Sequence, residues 1–184
     1  MAKLIYIANV SVDGYIEDAH GNFDWTEPDH EVFAFITDLV RPVGTYLYGR
    51  RMYETMAVWE TDPVGATQWD LTGDFADVWK AADKVVYSTT LPEVSTARTR
   101  LERNFHPDAI RDWKASATAD LTVGGANLAA HAFEAGLVDE CRLLIHPVLL
   151  GAGKPALRSR ALLELLDEQR FTNGVVYLRY GVAS

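Results

Sequence analysis

Lys3 to Val10, KLIYIANV, is an almost unbroken apolar run rich in β-branched and aromatic residues, the pattern of a central strand buried on both faces. Asp13-Gly14 breaks it. Over residues 29–41, DHEVFAFITDLVR, the apolar positions Val32, Phe33, Ile36 and Val40 recur at helical spacing, and Pro42 ends the pattern. TYLY at 45–48 predicts a second strand, which runs through Gly49 into a short helical stretch, RRMYETM. Residues 57–73 carry no period and hold Trp59, Pro63, Gly65, Trp69 and Gly73, so they predict a long loop of the kind used as lids or binding loops. A helix is expected over 74–82 and a strand over 84–87, ending at Ser88-Thr89-Thr90. RTRLER at 98–103 alternates weakly, 107–115 suits a short helix, and 120–123 returns to strand. A helix over 127–136 stops at Gly136, and 140–150 reads as a strand with a proline near its end. GAGKP is then a turn. Two strand-like runs, 162–171 and 174–182, join at Thr172-Asn173-Gly174, a hairpin signal because Asn-Gly tolerates positive φ.

Alternating strands and helices closed by a hairpin imply an α/β fold: a mostly parallel sheet with antiparallel strands at one end. No repeat, low-complexity segment or linker divides the chain, so one domain over 1–184 is expected. The 184 residues are 48% hydrophobic and 23% charged, enough apolar material for one substantial core. No window approaches the roughly 18 consecutive apolar residues of a membrane span, and MAKLIYIANV lacks a secretory signal's apolar core and cleavage site. A cytoplasmic address is expected. Cys141 is the only cysteine, which fits a reducing compartment, and the five histidines show no paired ligand spacing, so no metal site is expected.

The net charge of −9 argues against nucleic acid as a partner and works at long range against small anions too. A phosphate site must therefore rest on local cations and backbone N–H groups. Three places share a design that could supply one, each a buried strand ending at small or polar residues: Gly49-Arg50-Arg51, Ser88-Thr89-Thr90 and Gly124-Gly125-Ala126-Asn127. In open α/β sheets the carboxyl ends of the strands line the ligand crevice. Glycine lets a phosphate approach the backbone, the first turn of the following helix offers N–H groups, and an arginine adds the cation. Taken singly, each also has a plain reading as a tight turn, a solvated arginine pair or a cap. No G-x-G-x-x-G follows the first strand, and Gly153-Lys154 is followed by proline, so neither a Rossmann fingerprint nor a Walker loop is present.

The segments YIANVSVDGYIEDAHGNFDW, YLYGRRMYETM, KVVYSTTL, DLTVGGANLAAHAF and GLVDECRLLIHPVLLGAGKPAL, in this order, resemble the dihydrofolate reductase-like superfamily. The resemblance is strongest to the branch holding the reductase domain of bacterial riboflavin-biosynthesis deaminase-reductases and its single-domain relatives. It implies a three-layer α/β/α fold and NADPH lying across the strand ends. It assigns Gly49, Arg50 and Arg51 to the pyrophosphate and 2′-phosphate, Ser88 and Thr89 to the neighbourhood of the adenosine 2′-phosphate, and Gly124, Gly125, Ala126, Asn127 and Leu128 to the glycine turn beside the pyrophosphate. It sets the Ala8 and Asn9 backbone beside the nicotinamide and makes Asp13 through Trp25 a mobile loop over the site. On this reading the two glycines are there because a side chain would collide with the dinucleotide. The GAGKP turn and terminal hairpin resemble regions that pack two subunits in this branch, which implies a homodimer.

Hydride transfer to a C=N or C=O bond leaves an atom needing a proton, so a carboxylic acid or positioned water is expected nearby. The folate enzymes carry an acid early in the first helix; here His30 falls at that place, between Asp29 and Glu31. Asp29 is the best catalytic candidate, although a Pro-Asp at a helix start is more often a plain N-terminal cap or dipole partner. Asp13, Trp25, Met56 and Trp59 are candidate substrate contacts, Asp13 also reading as an ordinary turn residue. Trp69 is a further candidate stacking ring. The expected activity is an NADPH-dependent reduction of a small nitrogen heterocycle or its ribosyl group, of the pyrimidine or pteridine class. The alternatives are a non-catalytic NADP(H)-binding protein that kept the crevice without the folate-type proton donor, and an unrelated α/β binding module.

Overall fold

The structure, a computed structural model, describes residues 1–62 and 70–183. Its elements are β1 (Leu4–Ser11), β2 (Tyr15–Asp18), a 3-10 turn (Asp24–Thr26), α1 (His30–Val40), β3 (Val43–Gly49), α2 (Arg50–Met56), α3 (Val58–Thr61), α4 (Asp70–Ala81), β4 (Asp83–Tyr87), β5 (Thr99–Glu102), α5 (Pro107–Ser116), β6 (Asp120–Gly124), α6 (Ala126–Glu134), β7 (Glu140–His146), β8 (Gly153–Pro155), β9 (Leu163–Arg170) and β10 (Val176–Val182). Eight strands form one sheet in the order β5-β4-β3-β6-β1-β7-β10-β9. It is parallel from β5 through β7, and β10 and β9 complete it antiparallel. The expected architecture, mostly parallel with a C-terminal antiparallel hairpin, is the one observed.

Strand alternation sorts the core into two layers. Leu4, Tyr6, Ala8 and Val10 of β1, with Leu47 of β3, pack against Ile110 of α5 and Leu128 and Ala132 of α6. On the opposite face Tyr46, Tyr48 and Val86 pack against Phe33 of α1, Tyr53 of α2 and Trp79 of α4, while Leu144 and Tyr177 meet Val32 of α1. Helices on both faces make the α/β/α sandwich. Among the described residues no helix is long and apolar enough to cross a membrane.

Several boundaries differ from the sequence reading. Residues 57–73 are not one loop: α3 occupies 58–61 and α4 starts at Asp70, while Pro63, Gly65 and Trp69 lie outside the described residues. GAGKP is not only a turn, because Gly153–Pro155 pairs antiparallel with β2 and ties the segment after β1 to the segment after β7. The strand expected to reach residue 150 stops at His146, before Pro147, which has no N–H to donate. In the C-terminal hairpin Gly174 takes the positive φ, +89°, and Asn173 instead accepts from the Val175 N–H.

At the amino end of the parallel strands, Glu140 of β7 is nearly sealed from solvent and gathers three cations. Lys3 Nζ, Arg142 Nη2 and Arg179 Nη2 donate to it at 2.6, 2.7 and 2.7 Å. This hub staples β1, β7 and β10 together at the end remote from the strand carboxyl ends.

Candidate active site

The β1–β6 register runs through Leu4, Ile5 and Tyr6 and stops, whereas the β1–β7 register continues to Ser11. Ala8 and Asn9 therefore have a strand partner on one side only, and a slot opens between β1 and β6 at their carboxyl ends. The Ala8 side chain is buried in the α5/α6 layer, so the backbone is what it offers to that slot.

Gly124 and Gly125 flank the slot, and the structure gives each its own reason. A Cβ on Gly124 would stand 2.8 Å from the Tyr48 ring and 3.1 Å from Met52 Cγ, so packing against β3 and α2 forbids it. Gly125 has φ +97°, in the region that favours glycine, and is the N-cap of α6. Packing inside the protein is thus by itself a sufficient reason for glycine at 124, beside the dinucleotide collision expected from sequence. A Cβ on Gly125 would come within 3.9 Å of the Gly49 N, whereas one on Gly49 would meet nothing within 4 Å. The joints at 49–51 and 124–127 share one groove, with open space over Gly49. Ala126 and Leu128 point into the core and can contribute only backbone N–H groups, while Asn127 is exposed.

The two arginines part company. Arg50 turns to the end of β4, donating to Thr90 Oγ1 at 3.0 Å and to Glu54 Oε1 at 2.8 Å. The Ser88 hydroxyl accepts from the N–H groups of Thr90 and Leu91 and shapes that turn, with Thr89 exposed at its tip. Arg51 reaches the other way, to the Glu17 carboxylate of β2 at 3.1 Å. It lines a cavity of about 670 Å³ with His20, Asn127, Lys154 and Arg158. Arg158 donates to Asn127 Oδ1 at 2.8 Å. Arg51, Lys154 and Arg158 set three cations at this end of the groove against the two carboxylates of Glu17 and Asp18, a small local excess of positive charge on a negative chain. Lys154 and Arg158 escaped the sequence reading because the β2–β8 pairing that brings them here has no local signature.

The α1 side of the slot is more apolar. Met52, Met56 and Trp59 pack with Phe33 and Ile7, and the Trp59 ring lies 4.6 Å from that of Phe75. Asp29 Oδ1 accepts from the Val32 N–H at 3.0 Å, so its carboxylate caps α1. Asp13 fastens the segment after β1: its carboxylate accepts from Ser11 Oγ at 2.6 Å, Gly151 N at 2.7 Å and Leu150 N at 3.2 Å. The Ser11 hydroxyl, then the backbone N–H of Gly151, hold its pKa below the usual carboxylate range, although burial opposes them. Trp25 packs edge-to-face on His146, centroids 5.7 Å apart.

Residues 2–177 match the RibD C-terminal domain family. The chain belongs to that family. It is also 30% identical over 185 residues to the Bacillus subtilis (strain 168) uncharacterized protein YyaP, covering 97% of this chain and 94% of that one. Among solved structures it resembles a protein provisionally assigned to riboflavin biosynthesis in Shewanella sp. PV-4, with a TM-score of 0.75, 22% identity and full coverage of both chains. A pyrimidine reductase-like protein from Corynebacterium diphtheriae gives a TM-score of 0.66 at 13% identity, covering 100% of this chain and 92% of that one. The Thermotoga maritima diaminohydroxyphosphoribosylaminopyrimidine deaminase/5-amino-6-(5-phosphoribosylamino)uracil reductase gives 0.65 at 11% identity; 99% of this chain matches 57% of that longer one.

The fold of this RibD C-terminal domain chain is thus the dihydrofolate reductase-like one that its motifs imply. A second cavity, of about 360 Å³ between α5 and the ends of β4 and β5, is lined by Tyr87, Arg100, His106 and Trp113. None of the sequence-predicted site residues lines it, so the groove between α2 and α6 is the better candidate.

Proposed function

We propose that the protein is an NADPH-dependent reductase acting in the cytoplasm on a small nitrogen heterocycle or its ribosyl group, of the pyrimidine or pteridine class. The observation that carries this reading is the convergence of Gly49–Arg51 and Gly124–Asn127 on one groove beside the split between β1 and β6. The residues present fit a dinucleotide phosphate: space over Gly49, a glycine N-cap at 125, and cations at both ends. Arg51, Lys154, Arg158 and the first N–H groups of α6 would hold the pyrophosphate, and Arg50 with Ser88, Thr89 and Thr90 the 2′-phosphate. When bound, the cofactor supplies hydride. The chain's part is to hold the phosphates, keep the Ala8–Asn9 backbone open toward the slot, and wall the far side with Met52, Met56 and Trp59. Family membership and the reductase among the structural relatives support this reading.

A non-catalytic NADP(H)-binding protein is the second reading, favoured by one fact: the Asp29 carboxylate is engaged as a helix cap. Titration with NADPH, followed by a panel of pteridines, pyrimidines and simple carbonyls, separates the two. Binding with substrate-dependent loss of absorbance at 340 nm is expected; binding with no oxidation across the panel supports the second reading, and no binding removes both. A homodimer is part of the proposal, since β9 presents Leu163, Leu165 and Leu166 to solvent along a sheet edge.

A further inference from the structure

Seven of the eleven positions from Met1 to Ser11 are buried, and within β1 only Ile7 and Asn9 are not. Two residues apart, these stand on the face turned toward α1, so Asn9 is the partly exposed polar side chain that the central strand offers there, Ser11 beyond it being buried and bonded to Asp13. Its Oδ1 lies 2.9 Å from Nε2 of His146, the last residue of β7, which is 4% exposed. The ring also packs on Trp25, and the acids on the neighbouring segments are committed: Asp13 to the N–H groups of Leu150 and Gly151, Asp29 to that of Val32. Burial lowers the His146 pKa below the ordinary histidine value, so the ring carries a single proton at neutral pH. With that proton on Nε2 the ring donates to Asn9 Oδ1, which turns the amide NH2 away from His146. A second donor sits on the ring that packs against His146: Trp25 Nε1 is buried and has no hydrogen-bond partner among the described residues, a state that a polar group does not hold without cost.

We infer that Asn9 and Trp25 present hydrogen-bond donors to the substrate, with His146 the positioning residue that fixes the Asn9 amide, so that the site reads acceptor atoms and selects oxo-substituted over amino-substituted heterocycles. This rests on the reductase reading for the use of the cleft, but the His146–Asn9–Trp25 arrangement is a property of the chain itself.

Two measurements test it. In protein saturated with NADPH, lumazine, which carries two ring carbonyls, should bind about tenfold more tightly than 2,4-diaminopteridine. Asn9→Asp, whose carboxylate accepts from amino groups, should reverse the order. His146→Gln, which can still donate to Asn9, should keep the preference and His146→Leu should erase it. Equal affinity for the two pteridines, binding of neither, or a preference that survives His146→Leu overturns the inference. Independently, ¹⁵N NMR of His146 in the protein without cofactor should show Nε2 protonated and Nδ1 bare; the opposite tautomer overturns it whether or not NADPH binds. Failure of NADPH to bind, with the expected tautomer present, counts against the reductase reading and leaves the donor arrangement standing.

Discussion

At the joint between β6 and α6, neighbouring glycines respond to different constraints, and substitution separates them. Gly124→Ala pushes a methyl into the Tyr48 ring and Met52, so it should lower stability by about 2 kcal/mol, read as a fall in melting temperature. Gly125→Ala meets only ordinary contacts, Met52 Cβ at 3.7 Å and the Gly49 N at 3.9 Å, but keeps a φ of +97°, and should cost about 1 kcal/mol through strain. Equal losses would refute the distinction. Arg50→Ala should weaken NADPH by about tenfold and NADH much less, because Arg50 is the arginine turned toward Thr90; equal losses by calorimetry would move the 2′-phosphate elsewhere. At this scale the sequence shows that a glycine pair stands at the joint more readily than why each glycine is needed. A glycine pair at a strand-to-helix joint is visible in one dimension, but the Tyr48 ring that excludes a Cβ comes from a neighbouring strand. Pro28-Asp29 was readable as a cap and is one. Asn9 and His146, 137 positions apart, carry no signal that they meet.

Long periodic segments were legible because burial imposes their pattern: β1, β3, α1, α6 and the C-terminal hairpin all form where the apolar spacing places them. β2 and β8 were not, because each is short and exists by pairing with the other across more than a hundred residues. The Glu140 hub was equally hidden, its three cations coming from the residue before β1, from β7 and from β10. Burial alone would raise the Glu140 pKa, but hydrogen bonds from Arg179, Lys3 and Arg142 outweigh it and lower the value from 4.5 to about 2. A carboxylate depressed in the folded state contributes stability that is present above its unfolded pKa and lost as pH falls through the folded one. Stability should therefore decline between about pH 4.5 and pH 2, in part through this group. Glu140→Gln should cost about 3 kcal/mol at pH 7 and flatten that part of the curve in urea melts at stepped pH. An unchanged slope would show that the hub is not electrostatically coupled to folding.

At the scale of the whole molecule, helices cover both faces of the sheet but nothing among the described residues covers its β9 edge. All eight residues of β9 are exposed, Leu165 and Leu166 at 50% and 48%, and exposed apolar edges favour pairing. Light scattering after size exclusion should give the mass of two chains, and the double change Leu163→Glu and Leu165→Glu should give one chain with unchanged helical circular dichroism. A monomeric wild type would contradict the dimer. The overall charge of −9 and the local cations of the groove act in opposition, and their balance decides where an anionic cofactor settles. A crystal structure with NADPH decides the matter most directly. The pyrophosphate should lie over Gly125 beside Arg51 and Arg158, the adenosine end by Arg50 and Thr90, and the nicotinamide in the slot between β1 and β6; NADPH held instead in the cavity between α5 and β5, or absent at saturating concentration, would contradict the account.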